Sequence, residues 1–149
     1  MKFLWSSLLL ICLLSCKAQS LYGEKMEDLI LIAQDGYSGI SEYETSVIKD
    51  KKSLNKFYAQ INKTRKPGLP VPTVDFSKEM LLVVCLGEIQ GQRDPMLSQI
   101  EQTDDVLSIA VELSTIKKST ENSQVISYPF YVYKMPLVSK EISFKKIGW

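Results

Sequence analysis

Pro70 to Gly87 reads PVPTVDFSKEMLLVVCLG, and this stretch decides the fold. A proline-rich approach (Pro67, Gly68, Pro70, Pro72) leads into Val74-Asp75-Phe76-Ser77. Met80-Leu81-Leu82-Val83-Val84-Cys85-Leu86 then follow without a polar break, and Gly87 closes the run. Seven successive apolar residues fall well short of the roughly 20 that span a bilayer. Apolar side chains at both odd and even positions leave no polar face, so a strand of this kind must be covered on both sides. The short length, the valine pair and the flanking proline and glycine favour strand over helix. The expectation is a central strand, Met80 to Leu86, in the core of a single domain.

The rest of the chain is read outward from that strand. Its 149 residues suffice for one domain, and 18 Lys and Arg stand against 17 Asp and Glu. Such a balance gives no reason to expect nucleic acid as a partner. Histidine is absent, which removes the commonest general base and the commonest zinc ligand.

Residues 1–15 have the pattern of a secretory signal: Lys2, an apolar run from Phe3 to Leu14 broken by Ser6 and Ser7, then the small Ser15. Leu13-Leu14-Ser15-Cys16 looks like a bacterial lipobox, in which the cysteine is diacylated and becomes the new N-terminus. The expected address is therefore the bacterial cell envelope, with Cys16 lipidated and the chain anchored to a membrane. Each buried lipid CH₂ contributes about 0.8 kcal/mol, so two chains hold stably. Residues 16–26 read as a tether and 27–149 as the domain. With Cys12 in the leader and Cys16 carrying lipid, Cys85 is the cysteine left in the domain. No intramolecular disulfide framework is then available. Cys85 lies inside the apolar run and reads as a small buried hydrophobe.

Several further elements follow from local pattern. Glu27 to Ala33 is expected to form a strand. Gln34 to Gly39 is a turn cluster, and Tyr43 to Lys49 favours the extended state. Leu54, Phe57, Tyr58 and Ile61 recur at i, i+3, i+4 and i+7 and predict one helix from about Ser53 to Asn62. Ser53 is its expected N-cap, and Lys63 and Arg65 sit near its end, where cations suit the dipole. Glu88 to Pro95 reads as a polar loop. Leu97–Gln102 and Val106–Leu113 read as a hairpin about Thr103-Asp104-Asp105. Ser114 to Gln124 is polar and reads as a loop. The aromatic run Tyr128-Pro129-Phe130-Tyr131-Val132-Tyr133 lies in a strand from Val125 to Lys134, and Glu141 to Lys145 supplies the last strand. The fold class is α+β, mainly antiparallel sheet or sandwich-like, with one covering helix.

Three segments together resemble the C-terminal domain of the protease-complex subunit PrcB family. They are Pro72 to Gly87, Gly36-Tyr37-Ser38-Gly39 and Val132-Tyr133-Lys134-Met135-Pro136. The resemblance runs from about Leu29 to Phe144. It implies a lipoprotein that associates with another envelope protein, a protease complex in the family's name, in an accessory role. The family's Thr-Gly-Gly-Tyr-type loop after the central strand is replaced here by Gln90-Gly91-Gln92-Arg93-Asp94-Pro95-Met96, which opens the question of a different partner.

Catalytic chemistry has little to stand on. Without histidine no Ser-His-Asp set can form. The adjacent pairs Ser77-Lys78 and Ser139-Lys140 would point to opposite faces of a strand. Asp104-Asp105 and the Glu42/Glu44 pair read as solvated turn and edge residues, and Asp75 as a turn-former. The expectation is a binding module without enzymatic activity, cofactor or metal. Its candidate contacts are Gln92, Arg93 and Asp94 in the polar loop and the Tyr131/Tyr133 face of the aromatic strand. Plain cross-strand packing of those tyrosines is the competing reading. The partner class is either another envelope protein or, alternatively, a peptide or protease held by loops of a small β domain.

Overall fold

A computed structural model describes residues 23–91, 93–114 and 125–149. The leader, Cys16, Gln92 and the polar stretch 115–124 lie outside the described residues. Among the described residues ten strands and one helix follow in the order β1 (Glu24–Lys25), β2 (Ile30–Asp35), β3 (Glu44–Ile48), α1 (Lys51–Ile61), β4 (Glu79–Cys85), β5 (Ile89–Gln90), β6 (Pro95–Gln102), β7 (Val106–Leu113), β8 (Ile126–Ser127), β9 (Phe130–Pro136) and β10 (Glu141–Ile147). They build three layers. An outer sheet has the order β1-β6-β7-β10 and an inner sheet the order β2-β9-β4-β3, while β5 and β8 form a separate ribbon. Helix α1 covers the free face of the inner sheet. The α+β sandwich-like class is as expected, with antiparallel pairing throughout both sheets except that β10 runs parallel to β7.

Strand β4 takes the central place because it can be buried on both faces. Leu81, Val83 and Cys85 pack against α1 residues Leu54, Phe57, Tyr58 and Ile61. Met80 and Leu82 turn the other way, toward Leu107 and Ile109 of the outer sheet, and Val84 and Leu86 do so toward Val111. All seven residues from Met80 to Leu86 are at most 3% exposed. At about 1.5–3 kcal/mol for each large side chain removed from water, this run is the main apolar contribution of any single strand. Cys85 shares that burial, which with the nearby Glu44 charge pushes its thiol up to about 12. A thiol reagent is therefore expected to modify the native domain slowly and the urea-unfolded chain fast, and equal rates would contradict the packing.

Boundaries moved where local chemistry outweighed pattern. The helix begins two residues before Ser53, because Asp50 is the N-cap. Its carboxylate accepts from the Ser53 N–H at 2.8 Å and from the Ser53 hydroxyl at 2.7 Å. Ser53 is thus the residue bonded to the cap and not the cap itself. Neither Lys63 nor Arg65 lies in the last helical turn. Two residues assigned to the tether, Glu24 and Lys25, pair instead with Gln99 and Ser98 of β6. Met26 packs on the inter-sheet core behind them. The polar loop after β4 holds a short strand, β5, matched by β8. Val125 to Lys134 is not one strand, because Pro129 separates β8 from β9. Asp75 makes the expected turn: its carboxylate accepts from the Ser77 N–H at 3.1 Å and the Ser77 hydroxyl at 2.6 Å.

The hairpin also differs in a useful way. Alternation predicts one buried face on β7, yet Ser108 and Ala110 are buried too. Their neighbours in register are Glu101 and Ser143 for Ser108, and Ser98 and Lys145 for Ala110. Glu101 and Lys145 approach each other at 3.8 Å, so two long side chains arch over two short ones. At the far end Trp149 closes the sandwich. Its indole N–H donates to the Val111 carbonyl at 3.1 Å, its ring meets Tyr43 edge-on at 4.9 Å, and the Lys146 ammonium lies 3.9 Å from its centroid.

Candidate functional site

The inner sheet is the middle layer, so both faces of β9 are interior. Phe130 and Val132 face α1, and Tyr131 and Tyr133 face the outer sheet. Tyr131 is only 5% exposed. The expected Tyr131/Tyr133 contact strip is therefore corrected: these rings are core, paired across β4 with Val84 and Leu82.

Their hydroxyls, however, reach the polar loop. The Tyr131 hydroxyl donates to Asp94 Oδ1 at 2.9 Å and lies 3.2 Å from the Arg93 carbonyl oxygen. The Tyr133 hydroxyl donates to the Pro95 carbonyl at 3.1 Å. Two regions that the sequence offers as separate contacts thus meet at one place, with the phenols serving to hold the loop. Ser114 grips the loop from the far side. Arg93 Nε donates to its carbonyl at 3.2 Å, the Asp94 N–H to its hydroxyl at 3.0 Å, and its own N–H to the Asp94 carbonyl at 2.9 Å. Burial and the Asp94 carboxylate push the Tyr131 phenol far above its ordinary range. Burial, then the Asp94 charge, push Tyr133 up to about 12. Both stay protonated at physiological pH and act as fixed donors, not as acid–base groups.

Arg93, Asp94 and Tyr131 form one wall of a cleft of about 440 Å³. Ile89 and Gly91 close it on one side, and Val125, Ser127 and Pro129 on another. The end of β2 and its turn, Gln34-Asp35-Gly36, supply the third side. The β8 end carries apolar side chains into solvent, Val125 at 68% and Ile126 at 51% exposed. The cleft is thus apolar and wet at its rim and polar at its wall, a form common to sites that seat a ligand or chain segment. Two-residue strands carry no detectable period, so the ribbon leaves no periodic trace in the sequence. Gly91, at φ +74°, is the visible trace of the turn that ends β5.

Asp35 at the rim is fixed by Arg65, which crosses from beyond the helix to donate to the Asp35 carboxylate and to the Tyr37 carbonyl. This is where the cation expected at the helix end goes. The Arg65 guanidinium also sits 5.9 Å from the Tyr37 ring centroid, and Tyr37 meets Tyr128 edge-on at the same distance. Burial alone would raise the Asp35 carboxyl, but the hydrogen bonds from Arg65 and Tyr37 outweigh it and hold it below its ordinary 3.8. A depressed folded value means stability present above the unfolded value and lost as pH falls through the folded one. The wild-type advantage over Asp35→Asn is accordingly expected to be full at neutral pH and to shrink in pH-resolved urea unfolding as pH falls below the ordinary carboxylate value of 3.8. A gap that persists unchanged into acid would assign the loss to something other than this ion pair.

Among the described residues no three Asp, Glu or Cys side chains cluster to hold a metal ion, and no helix is long and apolar enough to cross a membrane. Comparison with family models, curated proteins and solved structures finds no match.

Proposed function

We propose that this chain is a non-catalytic accessory module of the bacterial cell envelope, anchored to a membrane through lipid on Cys16, whose cleft at Arg93, Asp94 and Tyr131 seats a segment of another envelope protein. The observation that carries this reading is the loop Arg93–Pro95, held rigid from both sides beside an exposed apolar ribbon. A recognition loop that is already ordered loses little entropy on binding, which favours affinity per contact. The lipobox-like Leu13 to Cys16 supports the address. The resemblance at Pro72–Gly87 supports a protease complex as the partner class. The two-residue ribbon beside the loop also favours a peptide-binding or protease-inhibiting role through the same cleft.

The test is a pull-down of the intact lipoprotein from its own envelope, comparing wild type with Val125→Asp and with Arg93→Glu, both residues lining the cleft. Both variants are expected to lose the principal co-purifying protein while keeping the wild-type circular dichroism. Retention of every partner by both folded variants rules out the cleft. In parallel, Cys16→Ala is expected to move the chain out of the membrane fraction, and a variant that still sediments wholly with membranes at high salt rules out the lipid anchor.

A further inference from the structure

We infer that the β2 edge is a contact between two copies of this chain, running antiparallel across a two-fold axis near Ile32. The four edges of the two large sheets differ in how they meet solvent. β1 is two residues long. β10 carries Lys145 and Lys146. β3 begins at exposed Glu44 and runs into Lys49. β2 has six residues, no strand on its outer side among the described residues, and Ile30 and Leu31 at 55% and 42% exposure. Short, charged edges discourage pairing, and a longer edge with exposed apolar side chains invites it.

Charge selects the occupant. Exposed Glu27 and Asp28 lie just before β2, at its Ile30 end. Arg65, tied to Asp35 and Tyr37, brings the segment with exposed Lys63 and Lys66 to the opposite end. An antiparallel second copy sets its own acidic end against this basic end, and the two-fold repeats the match. Ile30 and Leu31 of both copies are covered in the same step. A foreign peptide would need that charge order by chance, whereas this chain already carries it.

The experiment uses the full chain in native membranes with oxidative cross-linking. Ile32→Cys is expected to give a disulfide-linked band of twice the chain mass, and Lys145→Cys on the β10 edge is expected to give none. In the Ile32→Cys background, Glu27→Lys with Asp28→Lys is expected to lose the band. Adding Lys63→Glu and Lys66→Glu is expected to restore it, which a merely misfolded variant would not do. The inference is overturned if Ile32→Cys yields no dimer band, if Lys145→Cys cross-links equally, or if the double charge reversal fails to restore the band. Because the cleft variants Val125→Asp and Arg93→Glu lie outside β2, their outcome leaves this one independent.

Discussion

Replacing Phe130 with alanine is expected to cost about 3–5 kcal/mol of folding stability, as for large aromatic-to-alanine changes in packed cores. Phe130 is fully buried at the start of β9 and meets Phe57 of α1 edge-on, with ring centroids 5.7 Å apart. It faces Cys85 in register, so the cavity would open between the helix and the two central strands. That region cannot collapse easily, because β9 is held by strands on both sides. Against a total stability of about 5–15 kcal/mol for a domain, the variant would be close to unfolded. Urea unfolding reads the effect as a lower midpoint with an unchanged slope. A loss under about 1 kcal/mol would show that the helix layer contributes far less than its burial indicates.

Gly87→Ala is expected to be nearly as damaging for a different reason. Gly87 has φ +73°, and a Cβ there would lie 2.8 Å from the Ser41 carbonyl oxygen and from the Glu42 carbonyl carbon. The left-handed conformation alone costs a non-glycine residue about 1–2 kcal/mol. The clash is with backbone, which has no rotamer to yield. The same turn places the Glu88 N–H on the Ser41 carbonyl at 3.0 Å and so aims the chain into the β5 ribbon. Gly87→Ala should therefore lower stability and also misplace the cleft, and partner capture should fall further than the stability loss alone explains. Thermal unfolding together with the pull-down separates the two effects. A variant with wild-type stability would refute the backbone contact.

The contrast between what the sequence disclosed and what it hid follows from length scale. The doubly buried Met80–Leu86 run and the Leu54-Phe57-Tyr58-Ile61 stripe are long enough for their periods to be read. Both elements are present, α1 starting two residues earlier and β4 one residue earlier than expected. Short-range capping decides the helix start: in the Asp-x-x-Ser spacing Asp50 takes the N-cap place expected of Ser53. The site was half legible. Arg93 and Asp94 were reachable as polar residues beyond a buried strand. That Tyr131 meets them depends on β9 lying beside β4, a long-range pairing that local pattern does not carry. For Tyr131 and Tyr133 the structure takes the competing reading, cross-strand packing, over the candidate contact strip, because alternation distinguishes two faces of a strand but not whether a third layer covers the second face.

The order of strands in the inner sheet has a consequence for how the protein is made. β2 and β4 both lean on β9, which begins at Phe130. The β3–β4 pair and α1 are complete about fifty residues earlier in synthesis, but each waits for a neighbour that emerges almost last. Until then β4 presents its most apolar side chains with one flank open. Such nonlocal closure is slow compared with local hairpin formation. The inner sheet of such a chain cannot close until the C-terminal strands have followed.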